Sequence, residues 1–265
     1  MATVRDIYAA LDRRAPFRYQ MSFDNAGLLV GRADREVNRI LVALDITPEV
    51  IEEAVERGCD LIVAHHPVIW DKLGAVTDES TTGRRVLALI EHRIAAICAH
   101  TNLDAVEGGV NTELARRIGL LDPVVLEPTG VDEDGRHYGI GRAGALIGGP
   151  MSAAELAAHV TRALELQGVR LLDAGRPIAR VAVGGGACAG MLPAVQALGC
   201  DAFVTGDVKH DLWLEARALG ITLIDAGHYG TETVVCPVLA GWLREDFPEI
   251  ETAVAEEQGE AFVYL

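Results

Sequence analysis

Several common sequence features are absent from this chain of 265 residues, and each absence removes a class of protein. No apolar run approaches the roughly 18 residues of a membrane-spanning helix, and the N-terminal segment lacks the basic and apolar regions of a signal peptide. The five cysteines form no C-x-x-C pair, and their odd number and scatter along apolar segments predict reduced, buried thiols. We therefore expect a cytoplasmic protein without disulfide bonds and without a membrane partner.

Positive charge is also scarce. Lys and Arg number 23 against 39 Asp and Glu, which gives a formal net charge of −16. Because phosphate-backbone binding needs a basic patch, this balance argues against a nucleic-acid polymer as partner, although a single nucleotide can still bind through metal ions and backbone amides. No G-x-S-x-G motif or Walker loop is present, so neither a serine-hydrolase elbow nor a P-loop is predicted.

Strand-like and helix-like segments alternate along the chain. Thr47-Pro48 supplies an N-cap and a first-turn proline, and Ser152 with Glu155 forms a capping box before a later helix. The predicted strands are Arg39–Asp45, Asp60–Ala64, Ile94–Ala99, Val169–Leu172, Arg180–Val183 and Ala202–Thr205. This alternation predicts an α/β fold with helices on both faces of each sheet.

The two halves of the chain resemble each other. Residues Ile40–Val63 match Val181–Val204 without a gap, and Ile94–Ala99 is echoed more loosely by Ile221–Ala226. We interpret this as an internal duplication, the alternative being the chance similarity of αβ units. Two similar units would meet at an interface, where binding sites often form.

The polar segment Glu127–Arg136 is the best linker candidate between the halves. We therefore predict a first αβ unit over residues 1–130 and a second over residues 131–265. The last strand and helix of the chain are expected to be able to pack back onto the first unit.

Polar side chains follow the ends of three predicted strands, where open α/β sheets place their ligands. His65 and His66 follow one strand, and they point to opposite sides of an extended segment, so each could hold a different ion. Asp104 follows the next strand. His228 and Glu232 lie four residues apart, on one face of a helical turn.

These three imidazoles and two carboxylates exceed what one catalytic zinc needs, since such an ion usually takes three protein ligands. Two ions bridged by a carboxylate would use all five. A single strand-end histidine is most often a hydrogen-bonded surface residue or a helix cap, but the doublet together with H-x-x-x-E favours metal. The absence of a thiolate favours zinc, iron, manganese or nickel.

Other residues are candidates for proton transfer or substrate binding. His100 is either a ligand, a partner of a ligand or a general acid/base, and His210 is a second candidate proton shuttle. Asp207 and Lys209 could hold a phosphate or relay protons, with plain surface solvation as the alternative.

Two further segments could contribute to a substrate site. Gly185 and Gly186 lie in a glycine run between a strand and a helix, so their amides could bind an anion or merely permit tight packing. Asp24 and Asn25 form a predicted turn that could project polar groups toward the site, with surface solvation again the alternative.

The motifs together resemble the GTP cyclohydrolase 1 type 2 family, also called NGG-interacting-factor-three-like. They occur in family order over nearly the whole chain: Ser22–Gly31, Ala64–Pro67, His100–Asp104, Thr205–Asp207 and Ala226–Glu232. The resemblance implies two similar αβα three-layer units with mixed sheets and a dinuclear metal site in the cleft between them. It implies the same five ligands, with Glu232 bridging both ions, and a homo-oligomer of the toroidal hexamer kind. The chain resembles the short form that lacks a mid-chain inserted domain.

Two functions follow as hypotheses. The first is a dinuclear metal-dependent hydrolase, in which metal-activated water acts on a nucleotide-like or other small substrate. The second is a non-catalytic metal-binding protein, either a carrier or an interaction scaffold. A catalytic site predicts a substrate-sized cleft with open coordination positions, whereas a carrier predicts exchangeable metal and no turnover. No basic cluster for a triphosphate is obvious.

Overall fold

The computed structural model describes residues 1–263. Within that range the strands are β1 Gly27–Val30, β2 Arg39–Ala43, β3 Leu61–Ala64, β4 Ala95–Cys98, β5 Leu120–Val131, β6 His137–Leu146, β7 Arg170–Leu172, β8 Arg180–Val183, β9 Ala202–Thr205, β10 Thr222–Asp225 and β11 Glu251–Val254. The α-helices are α1 Val4–Arg14, α2 Pro48–Glu56, α3 Thr81–Glu91, α4 Thr101–Ala105, α5 Val110–Ile118, α6 Ala153–Ala163, α7 Leu192–Ala197, α8 His210–Leu219, α9 His228–Glu232 and α10 Cys236–Asp246. The predicted α/β alternation is confirmed.

Local capping signals explain where two of these helices begin. The Thr47 hydroxyl accepts a hydrogen bond from the Val50 amide at 3.2 Å, and Pro48 occupies the first turn of α2. At α6 the Glu155 amide donates to the Ser152 hydroxyl at 3.3 Å, while the Glu155 carboxylate accepts from the Ser152 amide at 2.8 Å. The predicted capping box is therefore present.

The chain divides into two compact units. The first comprises Met1–Leu103 and Val235–Gly259, and the second comprises Asp104–Val234 with the segment that starts at Glu260. Strand β11 and helix α10 thus belong to the first unit. The division falls between Leu103 and Asp104, whereas the sequence placed it near residue 130.

The sheet of the first unit has five described strands in the order β1-β4-β3-β2-β11. Strands β11, β2, β3 and β4 are parallel, and β1 lies antiparallel to β4 at one edge. Every residue of β3 and β4 is buried, as expected for parallel strands covered by helices on both faces.

The sheet of the second unit has six described strands in the order β5-β6-β8-β9-β10-β7. Strands β8, β9 and β10 are parallel, while β6 and β7 pair antiparallel with β8 and β10. The segment interpreted as a linker is instead the tip of the β5–β6 hairpin, so that interpretation is wrong. The Asp132 carboxylate closes the turn by accepting from the amides of Asp134 and Arg136, at 2.9 and 2.8 Å.

The connectivity of the two units repeats. The first contains β1-β4-β3-β2 and the second contains β7-β10-β9-β8, each with three parallel strands and an antiparallel strand on the same side. A short helix follows the last parallel strand in each case, α4 after β4 and α9 after β10. The same order of elements in the two halves confirms the predicted internal duplication.

All five cysteines lie in the described part of the chain and none forms a disulfide. Four are buried, and Cys188 is partly exposed. Burial raises the pKa of the Cys98 thiol to about 12, which keeps it protonated at neutral pH. Among residues 1–263, no helix has the length and apolarity required to cross a bilayer.

Candidate metal centre

Three histidines of the first unit come together at one edge of its sheet. His65 and His66 directly follow β3, and His100 follows β4, its parallel neighbour in register with it. One ring nitrogen of each histidine lies within 4.8 Å of those of the other two. The carboxyl ends of adjacent parallel strands thus bring together histidines that lie far apart in the sequence.

The Nδ1 atom of each of these histidines faces an oxygen acceptor. His65 Nδ1 lies 2.8 Å from the Ala99 carbonyl oxygen, and His66 Nδ1 lies 2.8 Å from Asp45 Oδ1. His100 Nδ1 lies 2.9 Å from Asp24 Oδ1. An acceptor at Nδ1 places the ring proton there, so Nε2 carries the lone pair that a metal ion requires.

Asp24 was predicted to lie in a turn that projects polar groups toward the site. In the structure its carboxylate instead accepts a hydrogen bond from His100. Its side chain is fully buried and accepts from His100, from the Thr101 amide at 2.9 Å and from the Thr101 hydroxyl. Burial raises the pKa of Asp24, but the hydrogen bonds from His100 and Thr101 outweigh it and lower the pKa to about 2. Asp24 is therefore an anion at neutral pH and orients His100.

The second unit supplies its own imidazole and carboxylates. His228 and Glu232 begin and end α9, directly after β10, and His228 Nε2 lies 3.0 Å from Glu232 Oε2. His228 Nδ1 lies 2.8 Å from Asp207 Oδ2, so this ring is oriented in the same way as those of the first unit. Carboxylate oxygens of Asp104 and Glu232 lie within 4.8 Å of each other, and both residues are buried.

The glycine run makes room for these side chains. A Cβ on Gly186, whose φ is +64°, would lie 2.3 Å from Glu232 Oε1 and 3.0 Å from His228 Nε2. The Gly186 amide donates to the Thr231 hydroxyl at 3.0 Å, and the Gly185 amide donates to Asn111 Oδ1 at 2.9 Å. Because both amides already donate to groups inside the protein, this arrangement favours tight packing over anion binding.

Two supporting residues were not identified from the sequence. Asn111 donates through Nδ2 to the Asp104 carbonyl oxygen at 3.0 Å, and so connects the Asp104 backbone with the glycine run. Arg142 is 1% exposed and donates to the Val106 carbonyl oxygen at 3.0 Å, which fixes the chain just after Asp104. Their only sequence signal is a polar residue at a position that the apolar pattern predicts to be buried.

The remaining candidates lie as follows. Asn25 donates through Nδ2 to the Ile69 carbonyl oxygen at 2.7 Å, which ties two loops of the first unit together. Lys209 and His210 are exposed at the start of α8. Neither belongs to any group of potential metal ligands found within residues 1–263. Their proposed roles remain predictions.

The donor atoms fit a divalent first-row metal ion. They are imidazole nitrogens and carboxylate oxygens, and the imidazoles have the Nδ1 acceptors that accompany most metal-bound histidines. Metal binding would also offset the cost of burying His65 in the first unit, and that of burying the Asp104 and Glu232 carboxylates in the second, since each is at most 8% exposed.

The class of protein defined here is a duplicated α/β fold whose strand ends carry imidazole and carboxylate groups that could hold a metal ion. The chain belongs to the Duf34/NIF3 (NGG1p interacting factor 3) family, whose model matches residues 2–260. The family resemblance inferred from the motifs is thereby confirmed.

Similar proteins match over most of their length. The chain is 30% identical over 264 residues to a GTP cyclohydrolase 1 type 2 homolog of Clostridium perfringens, covering 99% of each chain. It is 38% identical over 251 residues to the homolog of Streptomyces coelicolor, covering 92% of this chain and 87% of the relative. The crystal structure of Staphylococcus aureus protein SA1388 matches with a TM-score of 0.91 and 29% identity, covering 100% of this chain and 99% of that one.

Proposed function

We propose that the protein is a dinuclear metal-dependent hydrolase that acts on a nucleotide-like or other small substrate. In this proposal His65, His66, Asp104, His228 and Glu232 hold two divalent ions, drawn from zinc, iron, manganese or nickel. The observation that supports it most directly is the orientation of the histidines, since His65, His66 and His228 each have an oxygen at Nδ1. Glu232, buried beside both His228 and Asp104, is the proposed bridging carboxylate.

Divalent ions bound by these ligands would supply Lewis-acid chemistry, which polarises a substrate oxygen and makes water a better nucleophile near neutral pH. Acidic side chains of the protein orient the histidines for that chemistry. Asp24 holds the Nδ1 proton of His100, so His100 Nε2 is the atom that would accept a proton during hydrolysis. Asp45 and Asp207 keep the rings of His66 and His228 in one tautomer.

The names of similar proteins indicate which substrate to test first. Curated relatives carry the name GTP cyclohydrolase 1 type 2 homolog, which makes GTP the first compound to test. Hydrolytic opening of the guanine imidazole ring would require an activated water and a group such as His100 to carry protons.

The test is metal analysis of anaerobically purified protein, followed by a GTP turnover assay. We expect the wild type to retain metal and to lose turnover on chelation. The Glu232→Ala and His65→Ala/His66→Ala variants should bind less metal. His137→Ala, which removes an exposed histidine at the start of β6, is the matched control and should behave as wild type.

The outcomes separate the parts of the proposal. Metal-replete protein that leaves GTP intact would exclude the cyclohydrolase activity and leave the proposed metal site in place. Wild-type protein that binds no more metal than the double histidine variant would refute the metal site and the hydrolase together.

A further inference from the structure

Two large aromatic side chains of the first unit are exposed beside the histidine cluster. Phe23 is 63% exposed and Trp70 is 50% exposed, in a chain with only three tryptophans and five phenylalanines. Their ring centroids are 6.3 Å apart, with an angle of 43° between the ring planes. Exposed aromatic rings in contact with each other are typical of binding surfaces, because isolated proteins usually bury such area.

The pair adjoins the candidate chemistry directly. The Trp70 ring packs edge-on against His100, with the centroids 5.4 Å apart and the planes at 77°. The His100 ring centroid in turn lies 5.1 Å from that of His65 and 5.6 Å from that of His66. A molecule bound against Phe23 and Trp70 would therefore lie close to His100.

Hydrogen bonds hold the two aromatic loops in place. Asn25 connects the loop of Phe23 to the loop of Trp70 through the Ile69 carbonyl oxygen, at 2.7 Å. Asp24, the residue after Phe23, is fixed by its buried bonds to His100 and Thr101. The same anion thus orients the proposed proton carrier and anchors the aromatic loop. Because the loops that carry the rings are held in place, little backbone entropy is lost when a ligand binds.

We propose that Phe23 and Trp70 form an aromatic shelf for a planar heteroaromatic ring of the substrate, which stacks on one of the two inclined rings, contacts the other at its edge and lies beside His100. This inference rests on the proposed hydrolase function and narrows its substrates to molecules with such a ring, whether a nucleotide base or a free heterocycle. In this proposal the protein recognises its substrate mainly through the heteroaromatic ring of the substrate and not through a phosphate chain. That agrees with a chain of formal charge −16 whose sequence shows no basic cluster for a triphosphate.

The test uses Trp70 fluorescence in metal-replete, full-length protein. Trp213→Phe/Trp242→Phe leaves Trp70 as the single tryptophan, excited at wavelengths that nucleobases do not absorb. Guanosine, adenosine and cytidine are titrated against ribose, which lacks a ring of this kind. At least one nucleoside should change the Trp70 emission in a saturable way, and ribose should not.

Variants of Phe23 provide the second arm. Phe23→Leu removes the π face and should weaken nucleoside binding by about 5- to 150-fold, the range expected for one stacking contact. Phe23→Tyr keeps the aromatic face and should bind like the parent protein. The metal content should be unchanged in both, because neither substitution touches a ligand.

Three outcomes would overturn the shelf: no response to any of the three nucleosides, an equal response to ribose, or equal binding by Phe23→Leu. A Trp70 emission that shifts only on dilution of the protein would also contradict it, since a second copy of the chain would then cover the rings. Each of these results, obtained with metal bound, leaves the proposed metal centre intact. Loss of metal from the parent protein would instead refute the proposed function itself.

Discussion

At the residue scale, the partner of each histidine decides how strongly it can bind a metal. Nδ1 of His65 contacts a backbone carbonyl oxygen, whereas Nδ1 of His66, His100 and His228 each contacts a carboxylate. A carboxylate partner increases the basicity of the imidazole more than a carbonyl does. The sequence contains these acids, but their pairing with particular histidines depends on which strand ends lie side by side.

Asp45 should therefore influence metal affinity without being a ligand. We expect Asp45→Ala to weaken metal binding by about 10- to 100-fold, because His66 loses the acceptor that fixes its tautomer. Asp34→Ala removes an exposed carboxylate of the same unit that is not next to a histidine, and serves as control. Competition against a chelator measures both affinities, and equal values for the two variants would contradict the role given to Asp45.

Asp24 should make stability depend on acid. Its folded pKa of about 2 lies below the ordinary value of 3.8, so it stabilises the folded state above pH 4, and this contribution is lost as the pH falls toward 2. We expect Asp24→Asn to lower the free energy of unfolding of the metal-free protein by about 1–2 kcal/mol at pH 7, with a smaller difference near pH 2. Urea unfolding at both pH values is the measurement. A pH-independent difference would show that the effect is not ionic.

At the element scale, patterns within a few residues of each other predicted the helix starts correctly. Features that depend on contacts between distant residues were not predicted. The capping residues Thr47 and Ser152 could be identified because a cap and its amide lie within three residues. The β5–β6 hairpin was missed because its polar tip and the proline and glycine near it also suit a linker. The glycine run was open to two interpretations because the acceptors of its amides, Asn111 and Thr231, lie 74 and 45 residues away.

Gly186 gives a direct test of the glycine run. Gly186→Ala forces a Cβ against Glu232 Oε1 and puts alanine at a φ of +64°, so we expect a loss of about 1–3 kcal/mol in the free energy of unfolding. Metal binding should fall as well, because Glu232 and His228 must move. Gly190→Ala is the matched control, since a Cβ there meets nothing within 4 Å. Thermal unfolding and metal analysis of both variants decide the question, and similar results would refute the tight-packing role.

At the scale of the whole molecule, duplication explains the repeated topology but not the ligands. The position of His65-His66 in the first repeat corresponds to Gly206-Asp207 in the second, and the two matched segments carry no common ligand. The five proposed ligands are therefore divided, with His65 and His66 in the first unit and the others in the second. Both units have the strand order that places polar residues at the carboxyl ends of parallel strands. The identities of those residues differ between the two units.

The exposed edge of the second unit should matter for assembly. Strand β5 lies at the end of its sheet, is 12 residues long, and exposes Leu121, Val124 and Val131 by 51%, 47% and 53%. Exposed apolar side chains such as these favour side-chain contacts between copies of a chain, and the family resemblance implies a homohexamer. We expect light scattering to give a mass near 170 kDa, about six times the 28.3 kDa chain.

Val124→Lys places a charge on this edge and should reduce the measured mass, because pairing would bury an unpaired ammonium group. Ile90→Lys adds the same charge at a 55% exposed position on α3 of the first unit, so it controls for the change in net charge. Far-ultraviolet circular dichroism verifies that both variants remain folded. A chain that is monomeric at micromolar concentration would exclude the hexamer. An oligomer insensitive to Val124→Lys would keep the assembly and place its contacts away from β5.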